Sequence, residues 1–301
     1  LLLRYTWAIL WRWEKPAYET EVERVGRWAR DYPKICAGHS DADGRMPQHT
    51  FFYPSEEYRP EHLDNLVGLC ASGYGEIEIH LHHDGDTEAG LRSNLGVFLD
   101  QLVVRHNALP LHADTGKPMW SFIHGNWALD NSRPDGRWCG VNNELSILKD
   151  LGCYADFTLP SAPSDTQTST VNSIYYATDD SDKPKSHDTG TPVRVGGTPT
   201  GELMIIQGPL CLRWKMRGFL PVPGIENGDV RASNPPTPER VDSWIRTAVH
   251  VKDRPEWIFV KVHTHGAQDR DMDALLGEPM AKMLGPPEGH STERRHSRLQ
   301  Y

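Results

Sequence analysis

One segment of the chain alternates strictly between apolar and polar residues. In residues 75–82, GEIEIHLH, isoleucine or leucine occupies every second position, and glutamate or histidine occupies the positions between them. A period of two is typical of a β-strand with one buried face. His80 and His82 therefore share the polar face of a predicted strand, with their Cα atoms about 6–7 Å apart.

The periodicity of apolar residues also predicts an alternation of strands and helices along the first half of the chain and again near its end. Helical stripes of apolar residues predict helices at 16–32, 59–72, 87–106, 144–151, 238–249 and 271–284, and Pro33 is expected to end the first of them. Apolar, β-branched and aromatic runs predict strands at 35–39, 49–53, 75–82, 120–127, 153–159 and 257–263. This rhythm predicts an α/β fold with parallel strands, either a barrel or a doubly wound sheet.

Residues 161–255 interrupt the rhythm. Residues 161–200 are rich in Ser, Thr, Pro, Asp and Gly, which favour turns and loops. We predict strands at 171–177, 203–207 and 210–214, and mostly loop across 221–238. We therefore expect one catalytic domain over residues 1–301, with residues 161–255 forming an insertion or arm within it.

Charge and composition narrow the classes of function. The 301 residues carry a net charge of −9, which argues against a general nucleic-acid binder. No apolar run approaches the ~18 residues that cross a bilayer, and the apolar opening stretch lacks the pattern of a signal peptide. The five cysteines form no CxxC pair, which predicts free thiols and a cytoplasmic, reducing location.

The segment that follows the alternating strand is dense in metal-binding side chains. Residues 80–86 contain His80, His82, His83, Asp84 and Asp86. Imidazole combined with carboxylate suits zinc, iron, nickel and cobalt. The spacing therefore predicts a site for a divalent metal ion, against the alternative of a polar strand end whose histidines bond to neighbours.

Histidines recur where predicted strands end. In α/β folds the active site lies at the carboxyl ends of parallel strands, so such side chains are expected to converge in one cleft. The residues concerned are His80 and His82, His124 and Asn126, and His263 and His265.

Residues 49–83, HTFFYPSEEYRPEHLDNLVGLCASGYGEIEIHLHH, resemble the core of the polysaccharide deacetylase family, carbohydrate esterase family four. In that family a TFF-type strand leads through a helix to a Gly-x-Glu-Ile strand that ends in a metal-binding histidine, which corresponds to His80. The resemblance covers about residues 35–160 and 255–285. It implies an irregular β/α barrel of about seven parallel strands and a divalent metal ion, with zinc as the first choice.

The resemblance also implies roles for individual residues. It maps Asp41 to the catalytic base, Asp43 to a metal ligand and His263 to the residue that protonates the leaving amine. The resemblance and the local patterns together assign three sets of residues. The expected metal ligands are Asp43, His80, His82 and His83, and the expected catalytic residues are Asp41, His263 and His265. The residues expected to contact the substrate are His124, Asn126, Trp127 and Asp130.

The sequence departs from the family pattern in three places. Asp84 stands where the family has its second histidine, and Ala42 separates two aspartates that are adjacent in the family. The family's Arg-x-Pro-Tyr motif is absent, and FIHGNWALDN stands in its place. The arginine that would orient the base is therefore missing.

We expect an enzyme: a metal-dependent hydrolase that cleaves the amide bond of an N-acyl sugar or polysaccharide. Trp127, Trp138 and Tyr154 could stack on sugar rings, although aromatic residues also serve as core. Two alternatives remain open at this point. One is a metal-dependent hydrolase of a phosphoester or cyclic amide, and the other is a glycan-binding barrel without catalysis.

Overall fold

Helices and strands alternate through the first half of the chain, as the periodicity predicts. The structure is a computed structural model that describes residues 18–41, 43–265 and 268–285. The helices are α1 (Tyr18–Cys36), α2 (Pro60–Ala71), α3 (Glu88–Asp100), α4 (Glu144–Asp150), α5 (Pro238–Thr247), α6 (Asp269–Leu275) and α7 (Glu278–Leu284). The strands are β1 (His49–Pro54), β2 (Gly75–Leu81), β3 (Trp120–His124), β4 (Cys153–Asp156), β5 (Ile174–Ala177), β6 (Thr191–Pro192), β7 (Leu203–Ile206), β8 (Cys211–Arg217) and β9 (Leu220–Glu226).

Seven strands form one mostly parallel sheet in the order β1-β2-β3-β4-β7-β5-β6. The pairs from β1 to β4, and the pair of β4 with β7, are parallel, whereas β5 runs antiparallel to both β7 and β6. Strands β8 and β9 form a separate antiparallel hairpin. The α/β class is confirmed, and the segment 161–255 contributes strands β5, β6 and β7 to the main sheet.

The apolar face of β2 lies in the core beneath the helices. Ile77, Ile79 and Leu81 are buried, as are Leu91 of α3 and Leu145 of α4. Helices α2 and α3 provide the connections between successive parallel strands, which is the right-handed crossover expected of such units. The polar face of β2 is therefore the face turned away from these helices.

The sheet is strongly curved. The rings of Phe52 on β1 and Phe157 just after β4 lie 5.9 Å apart between centroids, although β2 and β3 separate their strands. Neighbouring strands are about 4.8 Å apart, so a flat sheet would hold these side chains about 14 Å apart. The curvature gathers the carboxyl ends of β1 to β4 around a common space.

Two expectations for the start of the chain are wrong. Pro33 does not end α1, which continues to Cys36, and residues 35–39 form no strand. Tyr32, Ile35 and Cys36 are buried on the helical stripe, and this burial offsets the cost of a proline inside the helix, about 3 kcal/mol or more.

Two further expectations fail in the second half. Part of the predicted loop at 221–238 is strand β9, whose prolines are tolerated because a two-stranded hairpin leaves N–H positions unpaired. Residues 257–263 form no strand, and isolated bridges such as Asp229 to His263 join them to the rest of the fold. An apolar run of this length does not by itself distinguish a ladder strand from an extended segment.

Residues 16–17, the apolar opening stretch, Ala42 and the tail after residue 285 lie outside the described residues. Within the described ranges, no helix has both the length and the apolar character needed to cross a bilayer. All five cysteines are free, as predicted.

Candidate metal centre

His80 and His82 lie side by side at the carboxyl end of β2. Their ring centroids are 4.6 Å apart in an edge-to-face arrangement, because strand alternation puts both side chains on one face. The side chain of His82 is 45% exposed, so the pair is accessible from solvent. We call these two residues the open pair.

Glu56 fixes the orientation of His82. It lies in the short 3-10 turn that directly follows β1, and its carboxylate accepts a hydrogen bond from His82 Nδ1 and one from the His82 backbone N–H. Burial would raise the pKa of Glu56, but the hydrogen bond with His82, a backbone hydrogen bond and the charges of His82 and His80 together lower it. A neutral His82 that donates from Nδ1 to this carboxylate has its lone pair on Nε2, as in many carboxylate–histidine–metal arrangements.

His80 is held in the protonation state that a metal requires. Burial lowers its pKa to about 4, and the charges of His82 and His265 lower it further. Its imidazole is therefore neutral at pH 7, with a nitrogen lone pair for coordination. The influence of His265 also shows that this histidine lies near the open pair.

Gly125 makes room for the His82 ring. A Cβ atom at Gly125 would lie 2.4 Å from His82 Cδ2, which no side chain could accept without displacing the ring. The Gly125 N–H also donates to the carbonyl oxygen of Leu81 at 2.7 Å. The loop after β3 therefore packs directly against the end of β2, and only glycine allows this approach.

A second group of metal-binding side chains lies on the helix-covered face of the sheet. His83, His124, Cys139 and Glu144 have ligand atoms within 4.8 Å of one another and could hold a metal ion. We call them the buried quartet, because their exposed fractions are between 0% and 9%. His124 ends β3 on the same face as Phe122, and Glu144 begins α4.

Glu144 is the hub of the buried quartet. Its Oε1 lies 3.2 Å from His83 Nε2, and its Oε2 accepts from the Cys139 thiol at 3.3 Å and from the Asp130 backbone N–H at 2.6 Å. Burial would raise the pKa of Glu144, but the charges and hydrogen bonds of His124 and His83 lower it to about 2. The carboxylate is therefore ionised, and His83 is its hydrogen-bonded imidazole partner.

The histidines of the buried quartet complement this charge. Burial would lower the pKa of His83, but the hydrogen bond and charge of Glu144, with the charge of Asp86, raise it. His124 Nδ1 accepts backbone N–H groups of Asn126 at 3.2 Å and Ala128 at 3.3 Å. Burial lowers the pKa of His124 to about 3, so its ring is neutral. It therefore carries its proton on Nε2, which lies 4.0 Å from Glu144 Oε1 and has no hydrogen-bond partner among the described residues.

This tautomer separates the two clusters chemically. A metal ion in the buried quartet would have to displace the Nε2 proton of His124 while two N–H groups still occupy Nδ1. In the open pair, Glu56 contacts only Nδ1 of the His82 ring. A ligand at His82 Nε2 would leave this hydrogen bond in place, whereas a ligand at His124 Nε2 would displace a proton.

The predicted base and ligand aspartates lie in a turn before β1. Asp41 Oδ1 accepts the backbone N–H groups of Asp43 and Arg45, both at 2.9 Å. Farther along this segment, the Gln48 side chain donates to the carbonyl oxygen of Gly73, just before β2. The segment thus enters the amino end of the sheet, whereas the open pair lies at the carboxyl end. The catalytic and metal roles of Asp41 and Asp43 stay predictions.

His265 lies close enough to the open pair for its charge to act on His80, and His263 is paired with the segment 228–230. His263 N–H donates to Gly228 O at 3.0 Å, and its carbonyl accepts from Val230 at 2.8 Å. Burial lowers the pKa of His263 well below its usual range, and it also lowers that of His265. Both imidazoles are therefore neutral at pH 7.

The predicted substrate residues divide between surface and core. Trp127 is half-exposed and adopts a positive φ of 58°, and Asn126 precedes it in the loop beside His82. Asp130 is fully buried and its Oδ2 accepts the Ser186 backbone N–H at 2.6 Å, and its contact with substrate stays a prediction. His124 belongs to the buried quartet.

Three residues of these clusters, Glu56, Cys139 and Glu144, were not predicted from the sequence. Glu56 directly follows an apolar strand, as the strand-end histidines do, so the same rule could have identified it. Cys139 and Glu144 come from a loop and a helix start, where no spacing links them to His83. Only the packing of α4, which contacts β4 and β7, and of the loop before it brings them to His83.

No protein-family model matches the chain, and searches of curated proteins and of solved structures find no match. The case for a function therefore depends on the geometry of the two clusters.

Proposed function

We propose that this chain is a metal-dependent hydrolase that removes an N-acyl group from a sugar or polysaccharide, with its catalytic ion at the open pair. The observation that carries the proposal is the arrangement of Glu56, His82 and His80 at an accessible strand end. A catalytic site needs a coordination position open to substrate, and a site closed by protein on every side is structural. The open pair meets this condition, and the buried quartet does not.

The ion we propose is divalent, with zinc as the first choice for imidazole ligands. When bound, such an ion polarises a carbonyl and lowers the pKa of water. His80 and His82 would hold it, and Glu56 would keep His82 in the required tautomer. The curved sheet is in keeping with an irregular barrel, whose carboxyl-end opening would contain this site.

His265 is our candidate for moving protons. Its imidazole is neutral at pH 7, because burial lowers its pKa, so it can accept a proton from water during attack. The same imidazole can then return that proton to the leaving amine. His263, the residue implied by the family resemblance, is fixed by backbone pairing next to it and would position it.

The choice of an N-acyl sugar as substrate comes from the resemblance of residues 49–83 to polysaccharide deacetylases. The half-exposed indole of Trp127, in the loop beside the open pair, offers a surface on which a sugar ring could stack.

The test is elemental analysis of the purified protein together with acetate release from a chitin oligosaccharide. We expect about one divalent ion per chain, and we expect the double variant His80→Ala/His82→Ala to lose both the ion and the activity. The control is His112→Ala, which removes an exposed histidine from a loop. A double variant that keeps the wild-type metal content would overturn the proposal.

A further inference from the structure

One face of the β8–β9 hairpin consists of apolar side chains only. Residues that pair directly in an antiparallel ladder share a face, and every second residue of a strand lies on that face. The residues of this face are Leu212, Trp214 and Met216 of β8 and, opposite them in register, Ile225, Pro223 and Pro221 of β9. The face is open to solvent, because Trp214 is 71% exposed and its neighbours on β8 are exposed to a similar extent. We call it the apolar face.

The turn of the hairpin adds two further apolar side chains. A two-residue turn, Gly218-Phe219, joins β8 to β9. Gly218 has a φ of 64°, which suits the first central position of a type II′ turn. Phe219 therefore stands at the apex and is 99% exposed, and Leu220 is 70% exposed on the face opposite to the apolar face. The apolar surface thus continues around the apex of the hairpin.

An exposed apolar surface of this extent is typical of a contact site. Monomeric proteins rarely expose contiguous apolar patches of more than a few hundred Å², and larger patches mark interfaces with proteins or membranes. Apart from the pairing of its two strands, the hairpin makes its main contact with α5. The hairpin therefore projects from the fold, and the described residues leave its apolar surface uncovered.

The hairpin is cationic although the chain is acidic. Residues 211–225 contain Arg213, Lys215 and Arg217 and no Asp or Glu, in a chain of net charge −9. Arg213 is compensated by Glu226 at 3.2 Å, whereas Lys215 has no ion pair or hydrogen bond with the described residues. Lys215 lies on the face opposite to the apolar face, and its stem lies across Gly224, where a Cβ would sit 2.8 Å from Lys215 Cδ. Its charge is therefore available to an anionic partner.

This arrangement fits the surface of a lipid bilayer better than a second copy of the chain. A second copy that packs on the apolar face would leave Phe219 and Leu220 in water, whereas lipid surrounds an inserted apex on every side. An interfacial element sinks its apolar side about 5–10 Å into the boundary between headgroups and acyl chains, which keeps its other side at the level of the headgroups. Lysine on that side can reach lipid phosphates, and tryptophan is enriched at this depth.

We propose that the apolar face and the apex of this hairpin insert into the surface of an anionic lipid bilayer. Phe219 and Met216 would enter the acyl boundary, Trp214 would lie at headgroup level, and Lys215 would contact phosphates. Contact of this kind needs no spanning helix. The inference is independent of the proposed hydrolase activity, because binding to lipid can be measured without catalysis.

The test is sedimentation of the full chain with lipid vesicles. One set of vesicles contains phosphatidylcholine alone, and the other contains phosphatidylcholine and phosphatidylglycerol in equal parts. We expect the chain to bind the anionic vesicles about fivefold or more tighter, because a basic residue near such a surface adds attraction. This preference should disappear in about 0.5 M salt, which screens the charges.

The variants locate the contact on the hairpin. Phe219→Ser should weaken binding to the anionic vesicles about tenfold, because one aromatic side chain no longer enters the bilayer. Val104→Ser, which removes an exposed valine after α3, is the matched control and should bind like the wild type. Lys215→Gln should weaken binding to the anionic vesicles about fivefold. Lys34→Gln, which removes an exposed lysine from α1, is the control for this change of charge.

Four results would overturn the inference. The first is a wild type that does not bind the anionic vesicles. The second is equal binding of Phe219→Ser and Val104→Ser, which would place the membrane contact in another part of the chain. The third is a Lys215→Gln variant that binds like Lys34→Gln, which would remove the role of lipid charge. The fourth is a dimer in light scattering that Phe219→Ser dissociates, which would assign the apolar face to a second copy of the chain.

Discussion

The open pair ends at His82 and the buried quartet begins at the next residue, His83, yet their environments are opposite. His82 projects toward solvent on the polar face of β2, whereas His83 turns into the layer between sheet and helices. Both contact a carboxylate, Glu56 in one case and Glu144 in the other. The difference is access: the open pair can receive a substrate, and the buried quartet is sealed by α4 and the loop before it.

This difference in solvent access predicts different effects for variants of the two clusters. A buried carboxylate that is neutralised by imidazole is expensive to disturb, because removal of one partner leaves an uncompensated charge. The partly exposed imidazole of His82 contributes little to folding, but it can exchange water for a ligand. We therefore expect variants of the buried quartet to affect unfolding, and variants around the open pair to affect metal binding.

The largest expected effect is on stability. Glu144→Ala should lower the free energy of unfolding by about 3–5 kcal/mol, because His83, the Asp130 N–H and Cys139 all lose their common acceptor. Urea unfolding followed by fluorescence measures this change. Glu256→Ala, at an exposed position, should change stability by less than about 0.5 kcal/mol. If Glu144→Ala costs no more than this control, the buried quartet does not stabilise the fold.

An intermediate effect is expected on metal affinity. Glu56→Gln should weaken binding of a divalent ion about 10–100-fold, because the amide no longer holds His82 with its proton on Nδ1. Competition with a metal-sensitive dye measures the affinity. The neighbouring Glu57→Gln variant is the control and should bind metal like the wild type. Unchanged affinity in Glu56→Gln would mean that this carboxylate does not support a metal ligand.

The smallest expected effect is a pH dependence of the unfolding free energy that arises from Asp156. Asp156, at the end of β4, is as buried as Glu144, but within the described part of the chain it has no imidazole partner at hydrogen-bond distance. Burial raises its pKa to about 7 against the opposing hydrogen bonds of Thr158. The folded state therefore holds a proton between about pH 4 and 7 that the unfolded state has released. Stability contributed by this group is present at low pH and is lost as the pH rises through that window.

Asp156→Asn should remove this dependence. Between about pH 4.5 and 6 we expect the wild type to lose about 1–2 kcal/mol of unfolding free energy relative to the variant. Asp114→Asn, in an exposed loop, should follow the wild-type curve. Parallel curves for wild type and Asp156→Asn would show that this carboxyl group is ionised throughout.

The sequence was sufficient to predict the open pair and insufficient to predict the buried quartet. Alternation in residues 75–82 assigns His80 and His82 to one face, because the side-chain period of a strand is fixed by its backbone. Cys139 and Glu144 reach His83 through the packing of a loop and a helix, which local periodicity does not encode. Residues 257–263 show the same limit of local periodicity. Their apolar pattern predicts a strand, but in the fold they form only isolated bridges.

The central claim is that a catalytic metal ion lies at the open pair, and anomalous diffraction from zinc-loaded crystals tests it most directly. We expect a zinc peak about 2.0–2.1 Å from one nitrogen of His80 and one of His82, on the solvent side of the strand end. A sole peak among His83, His124, Cys139 and Glu144, or no bound zinc at all, would contradict the claim.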